Sequence, residues 1–193
     1  MKNMKHLKNL FVGAFAVAMV ACNDNSTTTA TDKDSTTEQT NANNNTSTGV
    51  AEKDAQFVSD VTASNLAEIK MAQLAQQKGT NQEVKDIAKM LETDHSAVLS
   101  DLRNFASSKS ITVPTEEKQD AKDMNDKLSK KSGKEFDKDW VEHMIDGHKK
   151  SISKFESAQN DLTDAELKTW AGNTLPKLRT HLAKLQQCET NLK

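Results

Sequence analysis

The sequence predicts an all-α domain: a bundle of four main helices with a long crossover that carries a short extra helix. Two observations predict it. Apolar residues recur with a helical period through four long stretches, and the 193 residues hold only 6 glycines and 2 prolines, of which Gly79, Pro114 and Gly133 fall between those stretches. Once non-folding segments are removed, such a chain has room for one modest domain, which excludes a multidomain enzyme.

Residues 1–21 read as a secretory leader. Lys2, Lys5 and Lys8 precede an apolar run from Leu10 through Val20 that ends at Ala21-Cys22. The run is short of the ~20 residues that a membrane-spanning helix needs. Met19-Val20-Ala21-Cys22 resembles a bacterial lipobox, with Met19 where leucine is usual. Cys22 is therefore expected to be exposed by cleavage and acylated, anchoring the chain to a membrane of the cell envelope, the outer membrane first, without a spanning helix.

Residues 22–50 are rich in Thr, Asn, Ser, Asp, Lys and Gln with only isolated alanines, so nothing in them offsets the entropy of ordering. They are expected to form a tether holding the domain on the order of 30 Å from the membrane. Asp34-Ser35-Thr36 has the form of an O-glycosylation acceptor. Loss of the leader removes three lysines and leaves 23 basic against 28 acidic residues, a net charge of −5. With no long basic stripe outside the leader, nucleic-acid binding is disfavoured.

Residues 51–193 are expected to be the bundle. From Glu52 to Lys78 there is no helix breaker, and Phe57, Val58, Val61, Ile69, Ala72 and Ala75 fall on one stripe together with the polar Asn65 and Glu68. Gly79-Thr80-Asn81 reads as a stop followed by an N-cap. Val84, Ile87, Ala88, Leu91, Val98, Leu102, Phe105 and Ala106 then form a second stripe, reaching to about Ser108, with His95 near its centre and Glu92 and Asp94 on its flanks. Folding the pair about Thr80 sets Asn65 level with His95 and Glu68 within about one helical turn of it.

Ser110 to Pro114 breaks the pattern, and Glu116 to Lys131 is a charged segment expected to be a short helix within a crossover. Those charges suit either a solvated face or a scaffold for another envelope protein. Beyond Gly133, Phe136, Trp140, Val141, Met144, Ile152 and Phe155 define a third stripe, with Asp137 and His148 facing inward and His143 and Asp146 on the solvated side. The last stretch runs from Asp164 to about Leu192. It carries Leu167, Ala171, Leu178, Leu182 and Leu185 on one face, with Trp170, His181 and Cys188 on its flank. Pro176 removes a helical hydrogen bond, so a kink or a division into two helices is expected near Asn173 to Leu175. With Cys22 acylated, Cys188 has no partner for a disulfide and is expected to be an inert buried thiol.

Asn65, Glu68, His95, Asp137, His148 and His181 thus come from all four main helices and face the interior. Imidazoles and carboxylates on facing helices are how bundles hold transition metals, because a buried charge must be paired and a cation supplies the pair. The metal candidates are Glu68, His95, His148 and His181, with Asp94 and Asp137 secondary, and the ions considered are copper, zinc and iron. A polar network in which Glu68 accepts from His95 is the alternative reading of the same residues. Glu92-x-x-His95 has the spacing of a di-iron motif, but Leu178 stands three residues before His181, so the second such motif is missing.

Phe57 with Asn65 and Glu68, Met90-Leu91-x-x-Asp94-His95, Phe136-Asp137 followed by Trp140, His148, and Leu175-Pro176 with His181-Leu182 together resemble the bacterial domain-of-unknown-function family 4142. The resemblance spans about Phe57 to Leu185, with Trp140 where tyrosine is expected. It implies an exported ferritin-like helical bundle of outer-membrane type and supplies no reaction or cofactor. The functional expectation is a membrane-tethered, non-enzymatic binding or stress-protective module, with metal binding by the inward cluster as one form of that role. Its rivals are a metal-dependent redox or hydrolytic enzyme and an interaction scaffold.

Overall fold

A computed structural model describes residues 51–193, so the leader, Cys22, the tether and Asp34-Ser35-Thr36 lie outside the described residues. The apolar stripes become α1 (Glu52–Lys78), α2 (Gln82–Ser108), α4 (Gly133–Asp161) and α5 (Ala165–Asn191), and the charged crossover carries α3 (Gln119–Ser129). Side chains set several of the boundaries. Asn81 accepts from the Glu83 and Val84 amides at the start of α2, and Asp164 does the same for Glu166 and Leu167 at the start of α5. Gly133 opens α4 at φ +60°, a conformation that an L side chain strains to adopt.

Helices α1 and α2 form an antiparallel hairpin. The crossover then returns the chain along the bundle, so that α4 begins beside the α1–α2 turn, with Lys78 reaching the Ser129 carbonyl there. Consequently α4 runs parallel to α2, and α5 comes back beside α4. This is the expected ferritin-like bundle with one long crossover. Two apolar clusters fill it. One packs Met71, Leu91, Trp140 and Leu185 near the α1–α2 turn, and the other packs Phe57, Leu102, Phe155 and Leu167 near the α4–α5 turn.

Some expectations change in detail. Met71 is 2% exposed while Ile69 is only half-buried, because the buried face of α1 turns toward Trp140, whose indole N–H donates to the Met71 carbonyl at 2.9 Å. The expected division at Pro176 does not occur. Helix α5 is continuous, and Thr174 and Thr180 donate to the Trp170 and Pro176 carbonyls along it. Cys188 is a free, fully buried thiol, and burial pushes its pKa up to about 11.

The hairpins repeat each other. An offset of 83 residues carries 82–108 onto 165–191 and the turn 79–81 onto 162–164. It also carries Asp54 onto Asp137, and these two buried carboxylates perform reciprocal tasks. Asp137 accepts from the Thr80 amide (3.0 Å), the Thr80 hydroxyl (2.5 Å) and the Asn81 amide (2.9 Å). Asp54 accepts from the Thr163 amide (2.9 Å), the Thr163 hydroxyl (2.7 Å) and the Asp164 amide (2.9 Å). Each hairpin therefore satisfies the orphan donors at the other's turn, where the N-terminal dipole of the following helix also favours negative charge.

Truncating either carboxylate strands two amides in a dry turn, so Asp54→Ala and Asp137→Ala should each cost about 2–3 kcal/mol in urea unfolding. A loss below about 0.5 kcal/mol in either variant would remove the capping role.

Candidate metal centre

Between the two apolar clusters, at mid-height of the bundle, lies a layer of polar side chains. His95 of α2, His148 of α4 and His181 of α5 are 4%, 0% and 2% exposed. One ring nitrogen from each lies within 4.8 Å of the other two, and the ring centroids are 5.4–5.5 Å apart. Glu68 of α1 brings Oε2 to 2.7 Å from His95 Nε2 and 3.8 Å from His148 Nε2.

The outer nitrogen of every imidazole meets a group that can only accept. His95 Nδ1 lies 2.8 Å from Asn65 Oδ1, and the Asn65 amide is oriented because its Nδ2 donates to the Val61 carbonyl at 2.8 Å. His148 Nδ1 lies 2.9 Å from the Met144 carbonyl, and His181 Nε2 lies 2.8 Å from Asp94 Oδ2. Each of these nitrogens must therefore carry the proton in the neutral ring, which leaves His95 Nε2, His148 Nε2 and His181 Nδ1 as lone pairs turned into the cluster. Two of them, on His148 and His181, stand 3.3 Å apart. Converging lone pairs repel unless a cation or a proton lies among them. Outer N–H groups held by a carboxylate or carbonyl are the arrangement that orients metal-binding histidines.

Electrostatics agree with that geometry. Burial would raise the Glu68 carboxyl, but the neighbouring His95, whose charge faces it, holds it down at about 2. Burial lowers His148, and lowers His181 to about 4 despite the Asp94 hydrogen bond, so both rings are neutral near pH 7. Burial also pulls His95 down, but the Glu68 carboxylate more than offsets it and raises the ring above its ordinary value. A proton on His95 is thus the metal-free answer to the buried Glu68 charge.

The donor set fits a metal ion. Glu68 Oε2 and His95 Nε2 are buried and 2.7 Å apart, yet neither atom has a hydrogen-bond partner. Buried polar atoms are rarely left so. Three imidazole nitrogens and one carboxylate oxygen could hold zinc or copper, with His95, His148, His181 and Glu68 as ligands.

Not every candidate is present. Asp137 is a correction: it caps the α1–α2 turn, because its place near the start of α4 sets it three helical turns from His148. Asp94 sits at the edge, accepting from His181 and paired with Lys177 at 3.1 Å, where it orients the ring. Glu92 faces outward and accepts from Gln73 and Gln76, so the di-iron spacing is not used. His143 is the second correction. It is half-buried and, with Glu68 and His95, lines a cavity of about 610 Å³ between α1, α4 and the crossover. Helical periodicity placed His143 outside the apolar stripe, but it could not register that α3 returns to cover that flank.

In the metal-free chain, long-range ¹H–¹⁵N correlation should show His148 as the Nδ1–H tautomer and His181 as the Nε2–H tautomer. An Nε2–H proton on His148 would contradict the lone-pair arrangement.

The chain matches the family described as a domain of unknown function, DUF4142, over residues 35–188. No curated protein matches it. Among solved structures, a DUF305 fragment from Deinococcus radiodurans aligns with a TM-score of 0.66 at 10% identity, over 74% of this chain and 99% of that one. CopM in its Cu(II)-bound form aligns with a TM-score of 0.63 at 18% identity, over 72% and 97%. CopM in its Cu(I)-bound form gives 0.60 at 16% identity, over 72% and 96%. At these identities the likeness is one of fold.

Proposed function

We propose that this chain, which belongs to the DUF4142 family, is a lipid-anchored envelope protein whose bundle binds one transition-metal ion through His95, His148 and His181, with Glu68 as the fourth ligand. The observation that carries the reading is the set of three outward N–H groups held by Asn65, the Met144 carbonyl and Asp94, which turns three lone pairs inward. Copper is the first candidate. Sites built from nitrogen and oxygen donors bind Cu(II) more tightly than Zn(II) or Fe(II), and fold neighbours include CopM in copper-bound forms. The role is to hold the ion rather than to turn over a substrate, since in this reading Glu68, the carboxylate nearest the cluster, is a ligand and not a free base.

The experiment is metal analysis and calorimetry on the full chain with Cu(II) and Zn(II). One equivalent should bind. His148→Ala and His181→Ala should weaken binding by at least roughly 100-fold, and Asp94→Ala, which removes only an orienting acceptor, by roughly 10-fold. Native chain that takes up neither ion would end the proposal.

The anchor rests on the lipobox-like Met19-Val20-Ala21-Cys22. Among the described residues no helix is long and apolar enough to cross a membrane, so in this reading attachment depends on Cys22. Cys22→Ser should move the protein from the membrane to the soluble fraction of a cell lysate, and a variant still sedimenting with membranes would remove lipid from the account.

A further inference from the structure

Every histidine among the described residues belongs to the buried cluster or to the cavity beside it: His95, His148 and His181 form the cluster, and His143 lines the cavity. The three clustered rings are almost completely shielded, so a hydrated ion cannot reach them in one step; its waters must be exchanged for protein ligands along a route. Two faces of the bundle could supply that route. On the α2–α5 face, His181 Nε2 is bonded to Asp94, which is paired in turn with Lys177, and these contacts stand between solvent and the ring. On the α1–α4 face, Glu68 forms the inner wall of the cavity, and its carboxylate side chain retains 14% exposure.

The cavity is lined by three carboxylates, Glu68, Asp120 and Asp146, and three lysines, Lys118, Lys150 and Lys154. Lys118 and Lys154 both bond to one further carboxylate, Asp60, at 2.8 and 2.9 Å, which offsets one of their two charges. Asp120 and Asp146 are exposed on the lining and Lys150 opposes them, with the Glu68 carboxylate farther in. Gly147 borders the cavity beside Glu68, within ordinary side-chain reach of Glu68 Oε1.

From this placement, and resting on the metal reading above, we infer that His143 is an entry ligand, which takes a divalent transition-metal ion from solvent and passes it by way of Glu68 to the buried imidazoles. Its role is kinetic. Removing it slows uptake and release together and leaves the equilibrium affinity in place, whereas loss of a resident ligand weakens affinity.

The test is stopped-flow quenching of tryptophan fluorescence on mixing the full chain with Cu(II) alone, paired with equilibrium titration. His143→Ala should lower the bimolecular uptake rate by roughly tenfold while Kd stays within about twofold. His143→Gln, which preserves the packing, should do the same if the alanine variant is unstable. Native chain that binds Cu(II), with both variants taking it up at the native rate, would overturn the entry role while leaving the resident site intact. A native chain that binds no Cu(II) would overturn both, and a variant whose Kd rises in step with its slower uptake would make His143 a resident ligand instead.

Discussion

The layer at the middle of this bundle is governed by where three protons must sit. Asn65 Oδ1, the Met144 carbonyl and the Asp94 carboxylate can each only accept, and each holds the outer N–H of one imidazole. The inner nitrogens are therefore electron-rich and close together, with a carboxylate beside them, in a place where water screens little. Such an arrangement is costly by itself and favourable only with positive charge at its centre. The apolar clusters above and below raise that cost by keeping the layer dry.

The repeat of the two hairpins shows which positions serve the fold and which serve the layer. Under the 83-residue offset the turn-capping pairs are kept in kind: Asp54 with Asp137, Thr80 with Thr163, and Asn81 with Asp164. At the layer the pairs diverge: Asn65 answers to His148, Glu68 to Ser151, His95 to Leu178 and Val98 to His181. A symmetric frame thus carries an asymmetric set of donors, with the imidazoles on three helices and the carboxylate on the fourth. The same offset places Asp94 opposite Lys177, and the two are bonded to each other.

Most of the fold could be read from the residues, because helical period and turn chemistry are local properties. The four long helices, the Asn81 cap, the crossover and the inward turn of Asn65, Glu68, His95, His148 and His181 all follow from spacing. Two errors have one cause. Asp137 and His143 are placed by contacts between distant segments, the first by the α1–α2 turn and the second by the returning crossover, and a helical wheel describes one segment at a time. Of the two outcomes expected at Pro176, division does not occur: tertiary packing keeps α5 in one piece across the missing hydrogen bond.

The reciprocal carboxylates have a consequence for how the halves depend on each other. Asp54 belongs to the first hairpin yet completes the turn of the second, and Asp137 does the converse. Neither hairpin alone contains the groups that close its own corner. A cut within the exposed crossover would therefore leave two fragments that associate and refold only as a pair, and the polypeptide link between them is less a structural tie than a means of keeping them at high mutual concentration.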